Sequence, residues 1–357
     1  MAVSVLALTR YGARGAASRV RHLEFVEPLS RRGVVVTVAP LLSDAYLNSL
    51  YTASSVSRSD VSRSYVRRVR DLRRARRFDV VWLEKEALPW VPGQVEAALL
   101  GGSIPLVVDV DDLWTDRYES LAHPVARRLL RNKFSPVVRR AAVVTAANPV
   151  LAADLLLRGA ANVEVVPGSL DLRRYASPDP ADPMFTVGWI GTPVTAERYL
   201  PAVVGALNEL TADGRAKVLL IGAGEAVPSV DAERVSWSYE TEIASMSRAS
   251  VGIMPLTDDA FSRAKSGYKL LQFLALGRPV VASPVGANVE ILGAGRRGLA
   301  ARTQAEWKGA LATLRDNAVQ AKELGRNGKQ YVASQFDLED RADQVAEILI
   351  RAAKGRR

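Results

Sequence analysis

The chain contains no cysteine and two histidines in 357 residues. Disulfides and thiolate chemistry are therefore excluded, and too few Cys and His residues remain for a zinc site. Aromatic residues make up only 6%. None interrupts the basic run from Arg67 to Arg77, so the interleaved stacking platforms of single-strand nucleic-acid binders are missing there. Long apolar runs are absent too. Val3 to Leu8 has the length of a strand, far short of a signal-peptide core or a membrane span, and a cytoplasmic address is the expectation.

What is present suits a soluble globular protein: 48% hydrophobic and 24% charged residues. The length fits two domains of about 150 residues each. The net charge of +10 comes largely from arginines clustered at Arg58–Arg77 and Arg127–Arg140. In the first cluster, bases occupy nearly every face of a helix. Such a helix can be a solvated face, a surface for anionic lipid or a nucleic-acid patch. No nucleic-acid motif supports the last of these.

The chain opens with a βαβ pattern: strand Val3–Leu8, a loop bearing Gly12 and Gly15, a helix ending near Arg32-Gly33, and strand Val34–Val38. Two glycines at that spacing do not make a dinucleotide fingerprint. Further strands are expected at 79–83, 106–110, 143–148 and 163–166. The strand at 106–110 runs into Asp111-Asp112-Leu113-Trp114, and Asp109 makes three carboxylates in four residues. That cluster can bind Mg²⁺, orient hydroxyl groups or mark a strand end in solvent. Glu84 and Glu86, at the end of the neighbouring strand, can share such a task.

Ser177 to Pro183 holds three prolines in six residues, a linker composition that sets a domain boundary between 1–176 and 184–335. The second half restarts with strand Phe185–Ile190, Gly191-Thr192-Pro193 and a helix from about Thr195. A strand at 218–221 follows. Trp237 comes next, followed by Glu240, Glu242 and a short helix. An amphipathic helix, Leu338–Ala353, ends the chain as a separate segment, 336–357.

The richest stretch is Gly252 to Leu292. A short apolar strand ends at Pro255, a polar loop spans Thr257–Lys265, and Ser266-Gly267 opens a helix over Tyr268–Ala275 that Gly277 and Pro279 terminate. Val280–Ser283 is the next strand. The helix N-terminus offers free N–H groups and partial positive charge, with Lys265, Lys269 and Arg263 close by in sequence, so it suits a diphosphate.

This pattern resembles the C-terminal half of the GT-B glycosyltransferases of family 4, retaining enzymes that use nucleotide-sugar donors. The resemblance rests on Gly252–Leu256, Lys265–Gln272, Ala275–Ser283, Gly286 and Glu290, and extends loosely toward the N-terminus. It implies an α/β protein with two Rossmann-like domains facing a central cleft, 1–176 on the acceptor side and 184–335 on the donor side, the last helix returning to the first domain. It implies a glycosyltransferase whose leaving diphosphate takes the acceptor proton, with no nucleophile or base triad and no cofactor; Mg²⁺ is not expected.

By the same resemblance, Lys265 and Lys269 stabilise the departing phosphate. Asp111 (where many relatives have histidine) and Asp112 orient sugar or acceptor. Donor contacts fall to Gly191, Thr192, Arg198, Arg263, Ser266, Gly267, Tyr268 and Gln272, and Gly12, Gly15 and Arg19 form an acceptor-side loop. The chain departs from the family at Ala264 and Gln272, where relatives carry two glutamates, and at Thr192, where they carry arginine. Gln272 can still bond a ribose hydroxyl, and Asp258 or Asp259 can assume part of the lost role. Expected partners are a nucleotide-sugar and a glycan or lipid-linked acceptor, with peripheral contact to anionic membrane and no nucleic acid. The missing glutamate and arginine equally suit a catalytically degenerate binding or scaffold protein of a glycan assembly pathway.

Overall fold

The computed structural model describes residues 2–51, 57–176 and 179–355. Ser177 and Pro178, the start of the expected linker, lie outside the described residues. The chain divides into two compact units, 1–169 with 338–357, and 170–337. The division thus falls at Ser169/Leu170, ahead of the proline-rich segment, because Leu170 and Tyr175 are already packed in the core of the second unit.

The first unit is built on a six-stranded parallel sheet. Its strands are β1 (Val3–Thr9), β2 (Val34–Pro40), β3 (Val80–Glu84), β4 (Leu106–Val110), β5 (Val143–Ala146) and β6 (Val163–Val165), in the order β2-β1-β3-β4-β5-β6. Interior strands of a parallel sheet are covered on both faces and read as continuous apolar runs. Accordingly β3, β4 and β5 are buried along their whole length. The helix Leu338–Lys354 belongs to this unit: Val345, Ile348 and Leu349 pack with Val5, Trp82, Val107 and Val143. Arg32 pins its start through Glu339 and Asp343.

The second unit repeats the plan with β7 (Phe185–Ile190), β8 (Ala216–Ile221), β9 (Glu233–Val235), β10 (Val251–Met254), β11 (Val280–Ala282) and β12 (Gly298–Ala300), in the order β12-β11-β10-β7-β8-β9, all parallel. In each sheet the winding reverses once, between β1 and β3 in the first and between β7 and β10 in the second. Ligands of open parallel sheets bind at the carboxyl ends of the strands flanking such a reversal. In this chain those are the loops leaving β1, β3, β7 and β10.

Several expectations are corrected. The first helix is broken into Ala16–Arg21, a 3₁₀ turn Leu23–Phe25 and Val26–Arg31, with His22 (φ −134°) at the break. The three-residue edge strands β9 and β12 and the helices Gln304–Asp316 and Ala318–Gln335 were not anticipated. The polar loop after β10 contains a short helix, Ala260–Arg263. The arginine-rich helix Arg58–Arg74 has an inner face: Ser64, Arg68, Asp71 and Leu72 are buried, and Arg68 donates to the Thr9 carbonyl.

Candidate functional site

In the second unit Gly191 directly follows β7, its N–H bonded to the Ile221 carbonyl at 2.9 Å. A Cβ here would lie 2.4 Å from Lys269 Nζ, 2.5 Å from the Trp189 ring and 2.7 Å from Thr195 Oγ1. Only glycine lets the ammonium approach this backbone so closely. Lys269 sits in the first turn of the helix Tyr268–Ala275, and its Nζ lies 4.5 Å from the Trp189 ring centroid. Burial, then the neighbouring Lys265 charge, lower its pKa to about 7. Among the described residues no carboxylate pairs with it.

The same helix start is held open by Gly267, whose left-handed backbone (φ 67°) leaves no room for a side chain: a Cβ would meet Ile291 at 2.3 Å. The N-cap of this helix is Gly267, which has no side chain to cap it, and the positive end of the helix dipole lies at Ser266-Gly267. Lys265 extends its ammonium over Phe261, 4.5 Å from the centroid. Arg198 lies 4.7 Å from the same ring and bonds Asp259 at 3.1 Å. Gly191, Lys265, Lys269, Arg198 and the helix start thus stand around the switch point of one sheet.

Other expected donor residues have internal duties. Gln272 is buried, and its Nε2 donates to the Tyr175 hydroxyl at 3.2 Å, so the expected ribose contact gives way to one inside the unit. Tyr268 packs on the core around Leu271 and Ile291. Arg263 is a surface side chain paired with Asp258 at 2.6 Å. Thr192 caps the helix Pro193–Tyr199 in a reciprocal capping box with Thr195. Ala264, at the first family glutamate position, is wholly buried. Asp259 caps Ala260–Arg263 by accepting the Ser262 N–H at 2.8 Å, and this ties it to its own loop.

In the first unit the acids at the strand ends are neutralised from within. Asp109 is buried and held by Arg21 (Nε to Oδ2, 2.9 Å) and by Thr145 Oγ1 at 2.6 Å. Although burial opposes its charge, that guanidinium keeps its pKa below the usual carboxylate range. Asp109 is thus structural, which removes it from the three-carboxylate cluster expected to bind Mg²⁺, orient hydroxyls or mark a solvated strand end. Glu84 accepts from the Arg10 N–H (2.9 Å) and Ser18 Oγ (2.6 Å), and Glu86 from Arg10, Trp114 Nε1 (2.7 Å) and Tyr118. Both are buried, with these hydrogen bonds made inside the unit.

Asp111 and Asp112 are partly exposed, and between them stands Lys85 Nζ, in contact with Asp111 and 3.5 Å from Asp112. Lys85 is buried, yet these two carboxylates raise its pKa, so the site is a fixed ion cluster. Among the described residues no group of three or more His, Cys, Asp or Glu side chains is placed to hold a metal. In the first loop Gly15 is the N-cap of Ala16–Arg21, and Gly12 packs on the Asp44 carboxylate, 2.9 Å from where a Cβ would be. Arg19 is buried, donates to the Ala13 carbonyl at 3.2 Å and faces Glu24 at 3.4 Å. It shapes the loop from behind instead of projecting from it.

Lys85, Arg21 and Arg10 were not anticipated. The one sequence signal was the Glu84-Lys85-Glu86 alternation closing an apolar strand.

No curated protein matches the chain in sequence. Residues 185–317 match the family described as Glycosyl transferases group 1. The matched residues lie within the second unit and take in its sheet from β7 to β12, so that unit carries the resemblance to this family, and the two six-stranded sheets have the GT-B fold. Among solved structures, HepE of Anabaena in complex with UDP and glucose is 15% identical with a TM-score of 0.72, over 98% of this chain and 100% of that one. Sucrose-phosphate synthase of Thermosynechococcus elongatus is 16% identical with a TM-score of 0.69, over 98% and 99%. WaaG, a glycosyltransferase involved in lipopolysaccharide biosynthesis, is 13% identical with a TM-score of 0.67, over 97% and 99%. At such identity the likeness speaks for the fold.

Proposed function

We propose that the chain is a glycosyltransferase that moves a sugar, with retention, from a nucleoside diphosphate donor to a glycan, lipid-linked or small-molecule acceptor. The observation that carries the reading is Lys269: an ammonium with a lowered pKa and, among the described residues, no acid partner, over the Gly191 backbone at the N-terminus of the helix Tyr268–Ala275. A diphosphate supplies the missing negative charge and lies at the positive end of the helix dipole. As the glycosidic bond to the donor breaks, charge develops on the leaving phosphate. Lys269, Lys265 and the helix start stabilise it there, and that phosphate takes the acceptor proton on the same face. Asp111, held by Lys85, accepts hydrogen bonds from sugar or acceptor hydroxyls. The work of the protein is positioning and charge stabilisation.

The acceptor-side unit is read as working at the cytoplasmic face of an anionic membrane. The helix Pro124–Leu130 exposes Val125 and Leu129 one turn apart beside Arg127 and Arg128, a pairing of apolar and basic groups that suits an interface. Among the described residues no helix is long and apolar enough to cross a membrane.

A second reading, a donor-binding scaffold without transfer, is favoured by the burial of Ala264 and the internal bond of Gln272. A thermal-shift panel of UDP-, GDP-, ADP- and dTDP-sugars tests donor binding, since a ligand of the native state raises Tm. One nucleotide series is expected to shift it, and Lys269→Ala to weaken that binding by about 1.5–3 kcal/mol. Equal binding in both proteins would refute the site. Donor binding without transfer or donor hydrolysis would favour the scaffold.

A further inference from the structure

Between β3 and the helix Gly93–Leu100 the chain passes through residues 85–92, where two non-glycine residues, Lys85 (φ 55°) and Trp90 (φ 63°), hold left-handed backbone. Such conformations persist only where the surroundings impose them, and they gather at binding sites. The imposition is visible in the bonds to this loop. Buried Lys133 donates to the Leu88 and Val91 carbonyls at 2.8 and 2.7 Å. Tyr65 donates to the Pro89 carbonyl at 2.8 Å, Glu96 accepts the Ala87 N–H at 2.6 Å, and Tyr118 accepts the Trp90 N–H at 3.3 Å.

All this order presents a side chain that is not buried. The Trp90 indole is 49% exposed and stands edge-on to Tyr118, with centroids 5.3 Å apart at 80°. Beside it the Arg117 guanidinium lies 5.0 Å from the Trp90 centroid and 5.0 Å from that of Trp114. Among the described residues Arg117 makes no ion pair. The loop leaves β3 at the reversal point of the first sheet, where a ligand of that unit is expected.

We propose that Trp90 and Arg117 form an acceptor subsite for a pyranose bearing an anionic group. The sugar face lies on the exposed indole, and the carboxylate or phosphate lies on the guanidinium. This rests on the reading of the chain as a transferase with a sugar acceptor. The C–H bonds on a pyranose face are slightly positive and meet the negative face of the indole. The guanidinium fork matches a carboxylate or phosphate in bidentate geometry, and two aromatic rings already hold it in place. Because the loop is fixed beforehand, little conformational freedom is lost on binding.

The six tryptophans permit a local readout. Protein labelled with ¹⁵N-tryptophan gives one indole N–H signal per residue, assigned through Trp90→Phe and Trp189→Phe. Glucuronate, glucose 1-phosphate and neutral methyl glucoside are titrated separately while the Trp90 signal is followed. At least one anionic sugar is expected to bind about tenfold more tightly than methyl glucoside, the scale of one charged contact. Arg117→Gln should remove that preference at unchanged Tm, and Trp90→Ala should abolish sugar binding at this site. Response to glucuronate alone assigns a carboxylate, and response to glucose 1-phosphate alone a phosphate. No anionic preference, or a preference that survives in folded Arg117→Gln, overturns the subsite. UDP-glucose is titrated in parallel on the Trp189 signal, beside Lys269. A response there with none at Trp90 sinks the subsite alone, whereas silence at Trp189 with every donor sinks the broader reading.

Discussion

The two units solve the same charge problem in opposite ways. In the first, most charges at the end of β3 and β4 have an opposite charge built in: Asp109 has Arg21, Glu86 has Arg10, and Lys85 has Asp111 and Asp112. In the second, Lys269 stands beyond the end of β7 with another lysine nearby and, among the described residues, no acid partner. A neutralised cluster is rigid and gains little from an added charge. An uncompensated ammonium is destabilised until an anion arrives. On the proposed reading, the Asp111–Asp112 cluster orients hydroxyl groups, and the second arrangement meets the donor diphosphate.

The sharpest way to break this contrast is to remove one cation from each side. Arg21→Met leaves Asp109 buried and unpaired, and should cost about 3–5 kcal/mol of stability, measured by urea unfolding at pH 7. Lys269→Met should not destabilise the protein, because its ammonium forfeits no acid partner. Comparable losses in both variants would erase the distinction.

His22 sharpens the same point by pH. It is fully buried against Trp82, with ring centroids 4.3 Å apart and neither ring nitrogen hydrogen-bonded among the described residues. Burial, the largest influence, lowers its pKa to about 4. The unfolded chain binds the proton near pH 6.5, so between pH 6.5 and 4 it holds more protons than the folded one. Stability contributed by the neutral ring is present above pH 6.5 and lost as pH falls toward 4, by about 3 kcal/mol. His22→Leu should flatten that part of the stability–pH curve, and an unchanged slope would show that the ring does not carry it.

For Lys269 the sign runs the other way in binding. With a pKa of about 7 the empty site loses its proton as pH rises through neutrality. A diphosphate favours the charged form, so donor binding takes up a proton, and affinity should fall by up to about tenfold per pH unit above 7. Calorimetry in buffers of different ionisation heat detects that uptake. Lys269→Met should bind weakly and without the pH dependence.

Which parts of this were legible in sequence follows from distance along the chain. The β10–helix–β11 unit and its lysines lie within a few tens of residues, and apolar runs, Gly267, Gly277 and Pro279 mark them locally. Arg21 and Asp109 are 88 residues apart, and Gln272 and Tyr175 are 97 apart. No local pattern announces such pairs, and so Asp109 and Gln272 were read as ligand-facing. The edge strands Glu233–Val235 and Gly298–Ala300 escaped for another reason. At three residues each they carry too little periodicity, and pairing with a neighbouring strand decides them.

The smallest effect concerns Thr192, the position where the resembled family carries arginine. Here the hydroxyl accepts the Thr195 N–H, while Thr195 Oγ1 in turn accepts the Thr192 N–H at 3.0 Å. Losing the cap through Thr192→Ala should cost about 1 kcal/mol, read from the urea midpoint. Thr192→Arg loses the same cap but places a guanidinium next to Gly191, close to the proposed diphosphate. Stability should therefore drop as in the alanine variant while donor affinity rises. The two effects separate cleanly, because alanine supplies the first without the second. An arginine variant with no gain in donor affinity would mean that Lys269 and the helix start already neutralise the diphosphate. The second unit would then be complete without the missing arginine, and its surplus charge would be no larger than its ligand requires.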